Sequence, residues 1–218
     1  MIRLFKLIVA IIVLALVACS ETTQSDNNIQ QQQQQDTVAN TTDTLITDVA
    51  KKQADTTSFL QFYQQLVTAI ETKNAAAFNQ LLYKDYGLYI IESSGAVPQV
   101  SKVYEIENYQ TSGTKLGFFD LPFDSLSLIP IKEKLPKVVC EKNSYDKQGC
   151  FQENINPLKD NKIWHYANLN EKEVQAIQFI SETIKITVVN TYNYTFYFSQ
   201  INGSWQLSFI DLRIPCTA

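Results

Sequence analysis

The chain holds a single histidine, His165, and no Cys-x-x-Cys pair among its four cysteines. That set does not supply a typical zinc site, whose ligands come mostly from cysteine and histidine. A Gly-rich phosphate loop, a Gly-x-Ser-x-Gly turn and a His-Glu-x-x-His pair are also missing, so three common motifs of phosphate, acyl and metalloprotease chemistry have no counterpart here. No cofactor is implied. Lysines and arginines are scattered singly and the net charge is −4. Without a basic patch there is no electrostatic footprint for nucleic acid, which is excluded as a partner. No apolar run reaches the roughly 20 residues of a spanning helix. The longest run is Leu7–Val17.

That short run sits in an informative place. Met1–Lys6 carries Arg3 and Lys6, Leu7–Val17 follows without charge, and the stretch closes in Leu16-Val17-Ala18-Cys19. A basic start, a short apolar core and small residues before a cut site form a secretory signal. Cys19 directly after Ala18 makes it a lipobox, which resembles the signal of bacterial lipoproteins. The resemblance implies cleavage after residue 18, lipid on the Cys19 sulfur and on the new amino group, and membrane attachment through acyl chains at about 0.8 kcal/mol per buried CH₂. In the Gram-negative families this resembles, Asp after the cysteine often retains the protein at the inner membrane. Ser20 stands here instead, and the next residues lack an acidic export cluster. The expected place is the outer membrane, on its periplasmic face.

Residues 19–56 then form a Gln/Thr-rich tether containing Gln30–Gln35 unbroken. So few apolar residues cannot offset chain entropy, and disorder is expected. A flexible chain of this length reaches about 30–35 Å. Residues 57–218 are expected to be one globular domain, with 11 Tyr, 12 Phe and 2 Trp in the chain to build a core. Cys140, Cys150 and Cys216 lie in a compartment that permits disulfides. Three thiols make at most one bridge. Cys140–Cys216 closes the longer loop and is favoured by chain entropy, with Cys140–Cys150 as the alternative.

Phe59, Phe62, Tyr63, Leu66, Val67 and Ile70 recur at helical spacing after a cap at Thr57 or Ser58. Asn74 caps a second helix expected over Ala75–Tyr83. Strands are expected at Leu88–Ile91 and Val97–Ile106, separated by Ser93-Ser94-Gly95, with Gly87 supplying a positive φ. Leu116–Leu121 is compatible with a strand, and Lys137–Cys140 and Gly149–Phe151 read as short strands. Asn170 and Glu173 make a capping-box pattern for a helix through Thr183, with Val174, Ile177, Phe179 and Ile180 inward. Lys185–Thr191 is a strand. Asn202-Gly203 is a type I′ turn signal. It would pair Phe198 with Leu207, Phe196 with Phe209 and Tyr194 with Asp211. One face would carry Tyr192, Tyr194, Phe196, Phe198, Trp205, Leu207 and Phe209, and the other face would be wetter.

The expected fold class is α+β, with N-terminal helices packed on a curved antiparallel sheet that ends in a long hairpin. That order, with Phe196-Tyr197-Phe198, Asn202-Gly203-Ser204-Trp205 and Asp211, resembles the cystatin-like or NTF2-like cone. The lipobox, tether and Asn/Gln/Ile/Lys-rich body are similar to lipoproteins of the Bacteroidetes type. Neither resemblance carries an activity. The expected function is a lipid-anchored envelope module that binds a protein, a glycan or a small apolar ligand, with Tyr192, Tyr194, Trp205 and Arg213 as candidate ligand contacts. Two alternatives stand beside it. One is a purely structural envelope protein. The other is a cone-fold hydrolase or isomerase in which His165 and Asp211 form a general-base pair, as such folds often use. Asp211 also reads as a structural carboxylate bonded to a tyrosine or to Arg213.

Overall fold

The computed structural model describes residues 58–93, 97–123, 125–142, 144–192 and 194–216. The signal, Cys19, the tether, Thr57 and Ser94-Gly95 lie outside the described residues. The first helix, α1, covers residues 58–71, so Ser58 is already helical. Its stripe Phe59, Tyr63, Leu66, Val67 and Ile70 is buried along one face, as a 3.6-residue period requires. Lys73 in the left-handed region, φ 50°, ends the run. Asn74 then caps α2, Ala75–Asn79, its side chain accepting from the Ala77 N–H at 3.0 Å. This helix stops four residues short of the expected end. The Leu81 carbonyl accepts from the Leu207 N–H at 2.9 Å, so a distant strand takes the backbone that a longer helix would have used.

The strands are β1 (Leu88–Ser93), β2 (Pro98–Val103), β3 (Ile131–Lys132), β4 (Val138–Val139), β5 (Ser144–Tyr145), β6 (Cys150–Glu153), β7 (Ile184–Asn190), β8 (Tyr194–Ile201) and β9 (Ser204–Asp211). Seven of them form one sheet in the order β2-β1-β9-β8-β7-β6-β3, and β4–β5 pair separately. The sheet is mostly antiparallel. β1 runs parallel to β9, and β3 runs parallel to β6. The fold is therefore α+β. Strand β2 is shorter than expected because the chain turns into a 3-10 segment at Ile106–Asn108. The ambiguous Leu116–Leu121 stretch contains another such turn, Phe118–Asp120, rather than a strand.

Both sheet faces are covered, which corrects the expectation of one wetter face. Leu88, Ile90, Val188, Phe196, Phe198, Leu207 and Ile210 form one core with α1 and α2. Tyr89, Ile91, Ile184, Tyr197 and Phe209 form a second core, under α3 (Pro157–Asn161), the 3-10 turn Ile163–Tyr166 and α4 (Glu171–Glu182). Asn170 and Glu173 make the capping box, with reciprocal bonds of 3.0 and 3.0 Å. Ile177 and Ile180 turn inward, but Phe179 is 53% exposed. It sits two residues past Ile177, about 200° round the helix, and rests on Tyr86 instead.

The final hairpin turns at Asn202 and Gly203, both at positive φ (52° and 78°). That is the type I′ requirement. Phe198 pairs with Leu207 as expected, but beyond it the register slips: Tyr197 faces Phe209, Phe196 faces Ile210 and Thr195 faces Asp211. Ser208 is the extra residue of a β-bulge. A one-residue slip sends every later side chain to the opposite face. Phe209 and Asp211 consequently lie with Tyr197, not with Phe196 and Tyr194. Tyr192, expected on the apolar face, is 51% exposed in the turn between β7 and β8.

Candidate functional site

The space above the closing hairpin is filled. The Phe59 ring lies 5.0 Å from Phe198 and 5.0 Å from Trp205, Phe62 lies 6.0 Å from Phe198, and Leu66 is fully buried. Trp205 is thus a packing residue against α1. Tyr194 is buried, its ring 4.7 Å from Phe123 and its hydroxyl donating to the Pro122 carbonyl. Tyr194 and Trp205 stand near opposite ends of the β8–β9 ladder. With Tyr192 exposed, the four proposed ligand contacts do not gather at one place.

The end of β9 is chemically richer. Asp211 is 8% exposed. It accepts a forked pair from Arg213, Nε at 2.9 Å and Nη2 at 2.6 Å, and the Arg213 N–H at 3.0 Å. A planar guanidinium fits a carboxylate in this two-point manner. Burial pulls the Arg213 group down, but the bond to Asp211 and its charge more than offset that, and the net direction is up. Burial and the nearby Asp211 charge push the phenols of Tyr197 and Tyr145 up, with Arg213 opposing. The Cys140–Cys216 disulfide, Cα–Cα 5.3 Å, ties the chain just past Arg213 to the β4–β5 region. It is the longer-loop pairing rather than Cys140–Cys150. Cys150 is free and buried, its sulfur 3.3 Å from the Tyr63 hydroxyl, and burial pushes its thiol up. A raised pKa removes the thiolate that reactivity needs.

His165 does not join Asp211. Lys162 adopts left-handed backbone, φ 42°, ending α3 and opening the 3-10 turn Ile163–Tyr166. The turn sends Ile163 and Trp164 into the core and leaves His165 and Tyr166 in solvent. Among the described residues, no hydrogen bond or ion pair connects His165 to Asp211. Both Asp211 oxygens are engaged by Arg213. The expected pair is thereby corrected to Asp211–Arg213. The cause is the mainly apolar second core: it takes the tryptophan and turns the neighbouring imidazole outward.

Beside this ion pair lies an open cleft of about 430 Å³, lined by Ser93, Val97, Pro98, Asn161, Ile163, Tyr166 and Arg213. Ends of β1 and β2 supply one wall, and the α3/3-10 junction supplies the other. Val97 is 57% and Tyr166 72% exposed at its rim. Arg213 is the one proposed contact residue that reaches it. Sequence reading missed Tyr166, Val97 and Asn161. Each is unremarkable alone, and they meet only because the second core draws the 163–166 turn against β2. Among the described residues, no cluster of His, Cys, Asp and Glu could hold a metal ion. No protein-family model, curated protein or solved structure matches the chain.

Proposed function

We propose that this chain is a lipid-anchored binding module of the cell envelope, held through Cys19 on the periplasmic side of the outer membrane. Its cleft at Arg213 takes a small, mostly apolar ligand that carries one acceptor group. The observation behind the reading is the cleft itself: an apolar rim of Val97, Pro98 and Tyr166 with Arg213 among its lining residues. Asp211 occupies Nε and Nη2 of Arg213, which leaves Nη1 for an acceptor. Few placed polar groups in a mostly apolar concavity of a few hundred Å³ are the usual makeup of a small-molecule site. The cystatin-like or NTF2-like cone belongs to the same reading. It is supported by two N-terminal helices packed on the sheet beneath a closing aromatic hairpin. The lipobox at Leu16–Cys19 supports the anchor.

Two measurements test it. Anilinonaphthalene sulfonate pairs apolar rings with one acceptor group, and its fluorescence titration should weaken about tenfold in Tyr166→Ala, or about 1.4 kcal/mol. Unchanged affinity would remove the cleft from the proposal. Replacing Cys19 by Ala should leave an unprocessed precursor that takes up no palmitate, whereas normal labelling would overturn the anchor.

A further inference from the structure

The outermost strand at one sheet edge, β3, has only two residues, and its surroundings have an unusual composition. Leu128, Ile129, Ile131 and Val138 are 46%, 65%, 48% and 47% exposed. The first two sit on a tight turn held by Ser127, whose hydroxyl donates to the Ile129 carbonyl at 2.9 Å and accepts from the Ile129 N–H at 3.3 Å. Pro130, directly after, is buried. Both apolar side chains of this hydrogen-bonded turn are exposed.

Lysines scattered singly through the same segment outnumber its carboxylates. Residues 125–147 hold five lysines against three carboxylates, a surplus of two positive charges in a chain whose net charge is −4. Lys147 pairs with Glu133 at 3.1 Å. Lys132, Lys134, Lys137 and Lys142 are exposed and form no ion pair among the described residues. Exposed apolar tips in a segment that also carries exposed, unpaired ammonium groups are complementary to a surface that is apolar beneath and anionic above, the composition of an acidic phospholipid bilayer. A second protein strand is a poor fit. The edge strand is only Ile131–Lys132, directly after Pro130, and short edge strands that carry proline and lysine resist strand addition.

We propose that this β3 edge docks on an anionic phospholipid surface, inserting Leu128 and Ile129 between headgroups while the lysines meet their phosphates. The inference rests on the lipid-anchor reading, because the anchor supplies the bilayer. The tether expected from the composition of residues 19–56, with a reach of about 30–35 Å, would let the domain stand off or settle back onto the membrane. Docking would therefore fix which side of the domain faces the lipid and which side stays free.

The test uses the full lipidated chain carrying Ile129→Trp, an exposed position where the fold is not at stake. The chain is reconstituted in vesicles of phosphatidylcholine brominated on the acyl chains, with and without phosphatidylglycerol. Tryptophan emission should be quenched about twofold more than in the wild type, and only when phosphatidylglycerol is present. Adding Lys132→Glu and Lys134→Glu should restore the emission. Wild-type emission in both vesicle types would overturn the docking, as would quenching indifferent to phosphatidylglycerol. Loss of the chain from the vesicles altogether would overturn the anchor and the docking together. Retention without quenching would overturn the docking alone.

Discussion

At the scale of single residues, Asp211 shows how one side chain can look catalytic and serve structure. A carboxylate at 8% exposure persists only with a partner, and Arg213 supplies one through two side-chain bonds and one backbone bond. Removing the partner leaves an uncompensated buried charge, which costs far more than the pair itself contributes. Arg213→Met should lower stability by about 3 kcal/mol in urea denaturation. Adding Asp211→Asn to that variant should recover a large part. A loss below about 1 kcal/mol in the single variant would mean that Asp211 is solvated well enough to stand alone. The sequence held half of this: the two residues are two apart in number and of opposite charge. What it did not hold was the destination of His165, which depended on the apolar core claiming Trp164 next door.

At the scale of elements, the bulge at Ser208 decides more than any helix does. Before it, β9 follows the register that the Asn202-Gly203 turn sets. After it, Phe209 and Asp211 have moved to the α4 side and Ile210 to the α1 side. Deleting Ser208 would leave Phe209, Ile210 and Asp211 opposite Tyr197, Phe196 and Thr195 in a ladder that alternates without a bulge, each side chain still on its present face. The expected outcome is a chain that keeps a cooperative thermal transition and near-ultraviolet circular dichroism, whereas loss of both would show that the bulge itself, and not only the faces it sets, is needed. Legibility follows the range of the signal. The α1 stripe, the Asn170–Glu173 box and the I′ turn are each written within a few neighbouring residues, and each was read correctly. The bulge carries no local signature: Ser208 is an ordinary strand residue until Phe209 finds Tyr197 across the ladder. The early end of α2 has the same origin, since Leu207 lies far from Leu81 in sequence and competes for its carbonyl.

At the scale of the whole described region, one sheet separates two cores, and the Cys140–Cys216 bond closes a loop with a sequence separation of 76 at the far end of the last strand. For a loop of that length the chain-entropy account assigns about 4 kcal/mol. The double variant Cys140→Ser, Cys216→Ser should lose stability of that order in urea. A loss under about 1 kcal/mol would show that the C-terminal arm is held by Asp211, Arg213 and Tyr145 without the covalent tie. The amino-acid order by itself determined the fold class, the main helices and strands and the closing turn, because period, caps and turn residues act over one or two turns of chain. Only the tertiary structure decided that both sheet faces are buried, that Cys216 and not Cys150 meets Cys140, that Asp211 belongs to Arg213, and that Tyr166, Val97 and Arg213 share a cleft. Each of those outcomes joins residues brought together by packing from well-separated elements, and only the packing of the assembled sheet selects among the partners that such residues can have.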